Sequence, residues 1–154
     1  FPGETISIGI GQGYNAYTPL QLAQAVAMLA NGGIAQQPQL VSAIEDFRTR
    51  ERAAIEPRRL RALGVKKEHL EVVRQALVGV NKEGTAARSF VGAAYVSAGK
   101  TGTAQVIGIK QGEKYVESRV QEELRDHSLF IAYAPADEPR IALAVIVERH
   151  LVFE

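Results

Sequence analysis

Lys100-Thr101-Gly102-Thr103 carries residue types suited to holding a carboxylate during acyl transfer. A lysine cation beside two threonine hydroxyls offers charge-assisted and neutral donors to a carboxylate. Gly102 removes a side chain where a ligand backbone has to come close. In a strand, side chains alternate, so Lys100, Gly102 and Ala104 share one face and Thr101 and Thr103 the other. Exposed strand N–H groups also serve an extended peptide or an oxyanion. A pattern this short recurs by chance, so its weight depends on its neighbours.

Other residues invite chemistry less clearly. Asp126-His127 beside a serine suggests a hydrolase triad, but no Gly-x-Ser-x-Gly elbow exists to present a nucleophile. A strand-start histidine bonded to local backbone accounts for His127 as well. His69 and His150 are scattered and give no metal-ligand spacing. Gly9-Ile10-Gly11-Gln12-Gly13 lacks the Gly-x-Gly-x-x-Gly spacing of a dinucleotide loop. It reads instead as a tight backbone passage near the sheet that carries Lys100.

The elements that must position these residues follow from pattern. The chain has 154 residues, 46% hydrophobic and 23% charged, which suits one globular domain with a sizeable core. A net charge of +1 provides no field for nucleic acid or an anionic membrane. Cysteine is absent, which removes disulfides and thiolate metal sites. No apolar run approaches the roughly 20 residues of a membrane span. No signal peptide precedes Phe1, and the start reads as that of a fragment.

Residues 1–17 read as a Gly-punctuated extended segment. Thr18-Pro19-Leu20-Gln21 opens a helix with a capping box and proline in the first turn. Leu22, Val26 and Leu29 form its apolar stripe, and Asn31-Gly32-Gly33 ends it. Residues 45–69 interleave both charge signs and read as a solvated excursion. A second helix spans 67–80, with Leu70, Val73, Leu77 and Val80 on one stripe. Gly84-Thr85 turns into a short helix through Phe90. Ala94 to Ile109 reads as a strand or a bent pair of segments, and 117–125 as one or two helical turns. Ser128–Ala134 and Ile141–Glu148 form a hairpin across Pro135–Pro139.

In order, Ile8-Gly9-Ile10-Gly11-Gln12-Gly13, Thr18-Pro19-Leu20-Gln21-Leu22-Ala23, Ala30-Asn31-Gly32-Gly33, Gly84-Thr85-Ala86 and Lys100-Thr101-Gly102-Thr103-Ala104-Gln105-Val106 resemble the class B penicillin-binding proteins. Arg125-Asp126-His127-Ser128 with Phe130, then Ala134-Pro135, continues the likeness. It runs from about Phe1 to Glu148, and the elongation-type branch is the most similar. Lys-Thr-Gly is one of the three motifs of serine-acylating penicillin-binding proteins and β-lactamases.

The resemblance implies an α+β fold, helices packed on an antiparallel sheet, and a D,D-transpeptidase that cross-links peptidoglycan through a serine acyl-enzyme and is the target of β-lactams. It implies stem peptides ending in D-Ala-D-Ala as substrates, no cofactor, and a membrane-anchored parent on the periplasmic face of the inner membrane. It further implies a SEDS-family glycan polymerase and other elongation-complex proteins as partners. Lys100 would supply positive charge, Thr101, Gly102 and Thr103 would hold the terminal carboxylate, and the Thr103 N–H would be one oxyanion donor.

Two of the family's motifs are missing. Ser97-Ala98-Gly99-Lys100 spells the nucleophile motif Ser-x-x-Lys, but it overlaps Lys-Thr-Gly and Gly99 opposes a helix. No Ser-x-Asn occurs. Residues 1–154 are therefore expected to be a single partial transpeptidase domain, inactive alone, lacking the nucleophilic serine, the portion before Phe1 and the final helix that covers the sheet. Two other readings compete: a non-catalytic peptide- or protein-binding module using the exposed strand, with self-association hiding its open surfaces, and a serine hydrolase using Asp126 and His127.

Overall fold

The computed structural model describes residues 2–107, 116, 120–121 and 124–148. Its centre is an antiparallel sheet of β5 (Ala98–Ala104), β6 (His127–Ala134) and β7 (Ile141–Val147), in that spatial order. Ala98, Tyr133 and Ala142 stand in register across it, as do Thr101, Phe130 and Val145. The expected hairpin forms, and Arg140 N–H closes its turn onto the Ala134 carbonyl at 3.0 Å.

Two helices cover one face. In α2 (Pro19–Ala30) the Thr18 hydroxyl accepts from Gln21 N–H at 3.2 Å, and the Gln21 side chain accepts from Thr18 N–H at 2.8 Å, completing the capping box. Asn31-Gly32-Gly33 ends it, with both glycines at positive φ (72° and 89°) where a side chain would be strained. In α3 (Lys67–Lys82) Leu70 and Leu77 are buried, whereas Val73 faces outward. Val26 of α2 and Leu77 of α3 meet Ala98 and Tyr133 of the sheet in one core cluster. An antiparallel sheet tolerates one covered and one open face. The open face here carries Ile141, Leu143, Val145 and Val147, all exposed on β7.

One expectation is corrected. Residues 2–9 are not extended but form α1 (Pro2–Gly9). Proline suits the first helical position, Glu4 sits near the positive end of the helix dipole, and Gly11 at φ 79° lets the chain leave. The excursion at 45–69 is solvated as expected, and short exposed strands run through it. β1 (Ile34–Gln36) pairs with β4 (Arg59–Ala62), and β2 (Ala43–Glu45) with β3 (Arg52–Ala54). The Asp46 carboxylate accepts from Arg48 and Thr49 N–H at 2.8 Å each. Those bonds, chiefly the one from Thr49, hold its pKa below the usual carboxylate value.

A 3-10 helix, Ala87–Phe90, follows α3 where the short helix was expected. The helical turns expected at 117–125 lie largely outside the described residues, as do residues 108–109 of the long strand segment.

Candidate active site

β5 holds Lys100 to Thr103 at the margin of the sheet, and among the described residues no strand pairs with its outer edge. In an antiparallel ladder, residues alternate between aiming both backbone groups at the partner and aiming both away. The Thr103 carbonyl accepts from Gln12 Nε2 at 2.9 Å and the Thr101 carbonyl from Lys100 Nζ, both from outside the sheet. The odd-numbered set Gly99, Thr101 and Thr103 therefore turns its N–H and C=O groups to the open edge. That is the geometry for adding an extended peptide, and it leaves Thr103 N–H aimed outward.

Side chains sort as the alternation requires. Lys100 and Gly102 share the face of Ala98, and Gly102 is flush with Leu129: a Cβ there would lie 3.4 Å from Leu129 Cβ. Thr101 and Thr103 share the face of Phe130 and Ser128. On that face the Thr85 hydroxyl lies 2.8 Å from the Thr101 hydroxyl, within hydrogen-bond distance. Phe90 packs against Phe130 with ring centroids 6.0 Å apart. Gly99 is required here: a Cβ would sit 2.7 Å from Phe130 Cζ and 2.9 Å from the Ile131 carbonyl.

A cleft of about 510 Å³ opens over Lys100–Thr103, walled by Ile10, Gly11, Gln12 and Leu129. The Gly-rich passage thus does lie against this strand. Gln12 is a site residue the motif reading left without a role, and Thr85 another. Their only sequence signal was membership of short ordered motifs, since their partners stand 91 and 16 residues away.

Ser97 is only 6% exposed at the root of β5, and its Oγ accepts from Asn81 Nδ2 at 2.8 Å. It is a buried anchor rather than a presented nucleophile. His127 opens β6 opposite Ala104, while the next residue, Ser128, turns to the opposite face beside Thr103. His69 is exposed on α3, and His150 lies outside the described residues. No cluster of metal-ligating side chains occurs among the described residues.

Two helices pack on one face of an antiparallel sheet, and Lys100-Thr101-Gly102 stands on the open margin of that sheet. Residues 2–151 match the penicillin binding protein transpeptidase domain family, and the chain belongs to that family. It is 40% identical over 95% of its length to peptidoglycan D,D-transpeptidase MrdA of Haemophilus influenzae, and 41% identical over 95% to MrdA of Acinetobacter baumannii. It spans only 23% and 21% of those two relatives. Among solved structures it resembles Pseudomonas aeruginosa PBP2 in complex with WCK 5153, with TM-score 0.73 and 34% identity, covering 97% of this chain and 30% of that one. It also resembles the imipenem acyl-enzyme of Mycobacterium tuberculosis penicillin-binding protein A, with TM-score 0.70 and 28% identity, covering 93% and 29%. The α+β fold expected from the sequence is the family's fold.

Proposed function

We propose that this chain is the Lys-Thr-Gly half of a peptidoglycan D,D-transpeptidase domain, whose nucleophilic serine and Ser-x-Asn motif lie outside residues 1–154. The observation that carries this is the outward-facing edge of β5, with Thr101 held by Thr85 and a cleft open above Lys100–Thr103. In this role Thr101 and Thr103 hydroxyls hold the terminal carboxylate of a D-Ala-D-Ala stem peptide. Gly102 admits its backbone, and Lys100 supplies the compensating charge. Thr103 N–H is one of two donors to the tetrahedral oxyanion; removing one such donor typically costs about 10²–10³ in rate. The imipenem acyl-enzyme of the Mycobacterium protein supports an acyl-enzyme route, and β-lactams would acylate the same missing serine.

The completed protein would work at the periplasmic face of the inner membrane beside a SEDS-family glycan polymerase and other elongation-complex proteins. Among the described residues no helix is long and apolar enough to cross a membrane. The remaining transpeptidase segments, including a final helix, would seat on the open β7 face. Without them, second copies of the chain would cover it.

Incubation with a fluorescent penicillin tests the division of the site. The chain alone should remain unlabelled, while an acyl-D-Ala-D-Ala peptide should shift the amide resonances of Lys100–Thr103. Covalent labelling would overturn the assignment of the nucleophile. The same edge also suits a second reading, capture of peptides without chemistry. Joining the serine-bearing segments of the Acinetobacter relative separates the two: labelling appears only if β5 is half of a catalytic site.

A further inference from the structure

Thr103 turns both backbone groups to the open edge of β5, but only one of them is open to a ligand. Among the described residues nothing accepts from its N–H, while its carbonyl already accepts from Gln12 Nε2 at 2.9 Å. The Thr101 carbonyl is likewise taken, by Lys100 Nζ. The edge thus offers donors and withholds acceptors. The Gln12 contact is built into its loop. Gln12 N–H donates to the Ser7 carbonyl at 2.9 Å, and its own carbonyl accepts from Asn15 Nδ2 at 3.2 Å. Gly11 and Gly13 flank it at φ 79° and 70°, where a side chain would be strained. A pinned backbone therefore aims one half-buried amide at one carbonyl of the site strand.

In an antiparallel hydrogen-bonded pair, two residues exchange both N–H···O bonds. A ligand residue whose carbonyl takes the Thr103 N–H therefore points its own N–H at the Thr103 carbonyl. On the transpeptidase reading, on which this inference rests, that residue is the penultimate D-Ala. We infer that Gln12 is a specificity-determining residue. It holds the Thr103 carbonyl against that ligand N–H, so the cleft selects a ligand by its carboxylate and scissile carbonyl and not by this amide. A peptide that displaces Gln12 exchanges one donor for another at the same oxygen, with no net gain. Room for the displaced amide exists. A hollow of about 440 Å³, lined in part by Asn15, Tyr17 and Gln105, adjoins the cleft, and Gln12 stands in the wall of both.

Two ligands of one shape test this. One is an acyl-D-Ala-D-Ala peptide, the other its depsipeptide with D-lactate in the penultimate place, which lacks only the N–H in question. In titrations followed by the ¹⁵N resonances of Lys100–Thr103, the unaltered chain should bind the two within about twofold, as a bond-for-bond exchange requires. Gln12→Met keeps the bulk and removes the donor. That variant should bind the peptide about fivefold tighter than the depsipeptide, the scale of one net hydrogen bond. An unaltered chain that already prefers the peptide by that factor would overturn the role of Gln12, because the carbonyl would then serve both donors at once. This comparison is read without the variant. A folded Gln12→Met chain with no preference would overturn the role as well. Absence of shifts with either ligand in both chains would overturn the carboxylate reading of the cleft itself, and the role of Gln12 with it.

Discussion

Thr85 and Thr101 make the contact on which the candidate site most depends. A hydroxyl has one proton to give and two lone pairs to accept with. When Thr85 donates to Thr101, the Thr101 proton is left free for a ligand carboxylate, and the chain of two bonds strengthens the outer one. Within the completed transpeptidase, Thr85→Val should therefore lower the second-order rate of penicillin acylation about tenfold, equivalent to about 1.4 kcal/mol. Thr85→Ser, which keeps the donor, should stay within about twofold on the same logic. Equal losses in both variants would mean that shape, not the hydroxyl, matters at this position. At this scale the sequence told part of the story. Lys100, Thr101, Gly102 and Thr103 stand together because they are neighbours in one strand. Thr85 and Gln12 reach them only through the fold, and no local pattern marks a contact over 16 or 91 residues. Ser97 shows the converse: a motif spelling without the motif's setting.

Elements with local determinants were legible, and their cost of disruption follows from the same determinants. The Thr18 capping box is written in four consecutive residues and forms as written. Thr18→Ala removes the side-chain acceptor of Gln21 N–H and should cost about 1 kcal/mol in urea unfolding. The hairpin of β6 and β7 was equally readable from two β-type runs, the second rich in Val and Ile, around a turn. Strands β1 to β4 were not, because they are only three or four residues long and exposed almost throughout, so no alternation was imposed on their sequence. α1 hid behind Thr5, Ile6 and Ile8, whose branched side chains favour strands. From sequence Gly99 only opposed a helix, yet its hydrogen is what lets β5 lie against Phe130. Gly99→Ala forces a Cβ within 2.9 Å of a backbone carbonyl, which cannot swing aside. We expect a loss of about 1–3 kcal/mol, as for other overpacked interiors. The displaced Phe130 should also broaden Thr101 and Thr103 amide resonances. A Gly99→Ala chain as stable as the parent would show that the sheet shifts freely there.

The molecule as a whole is two-sided. One face of its sheet is closed by Val26 and Leu77. The other leaves Ile141, Leu143, Val145 and Val147 in solvent, at 65%, 39%, 46% and 57% exposure. Apolar side chains scattered singly on a surface are ordinary, but four in alternation on one strand make a contiguous stripe of the kind that marks an interface. Among the described residues no strand pairs with the strand's outer edge, which adds a template for another chain. If the rest of the transpeptidase domain normally covers this side, the isolated chain should associate with itself and the completed domain should not. Sedimentation velocity across a concentration series should show reversible self-association of the chain. Val145→Lys with Val147→Lys should return it to a monomer, since lysines on an open strand oppose pairing. Both positions point away from Val26 and Tyr133, so thermal unfolding should change little. A chain that sediments as a monomer at every concentration would remove the covering role assigned to this face. Association that survives both lysines would move the interface to the open edge of β5, where it would compete directly with peptide for Lys100–Thr103.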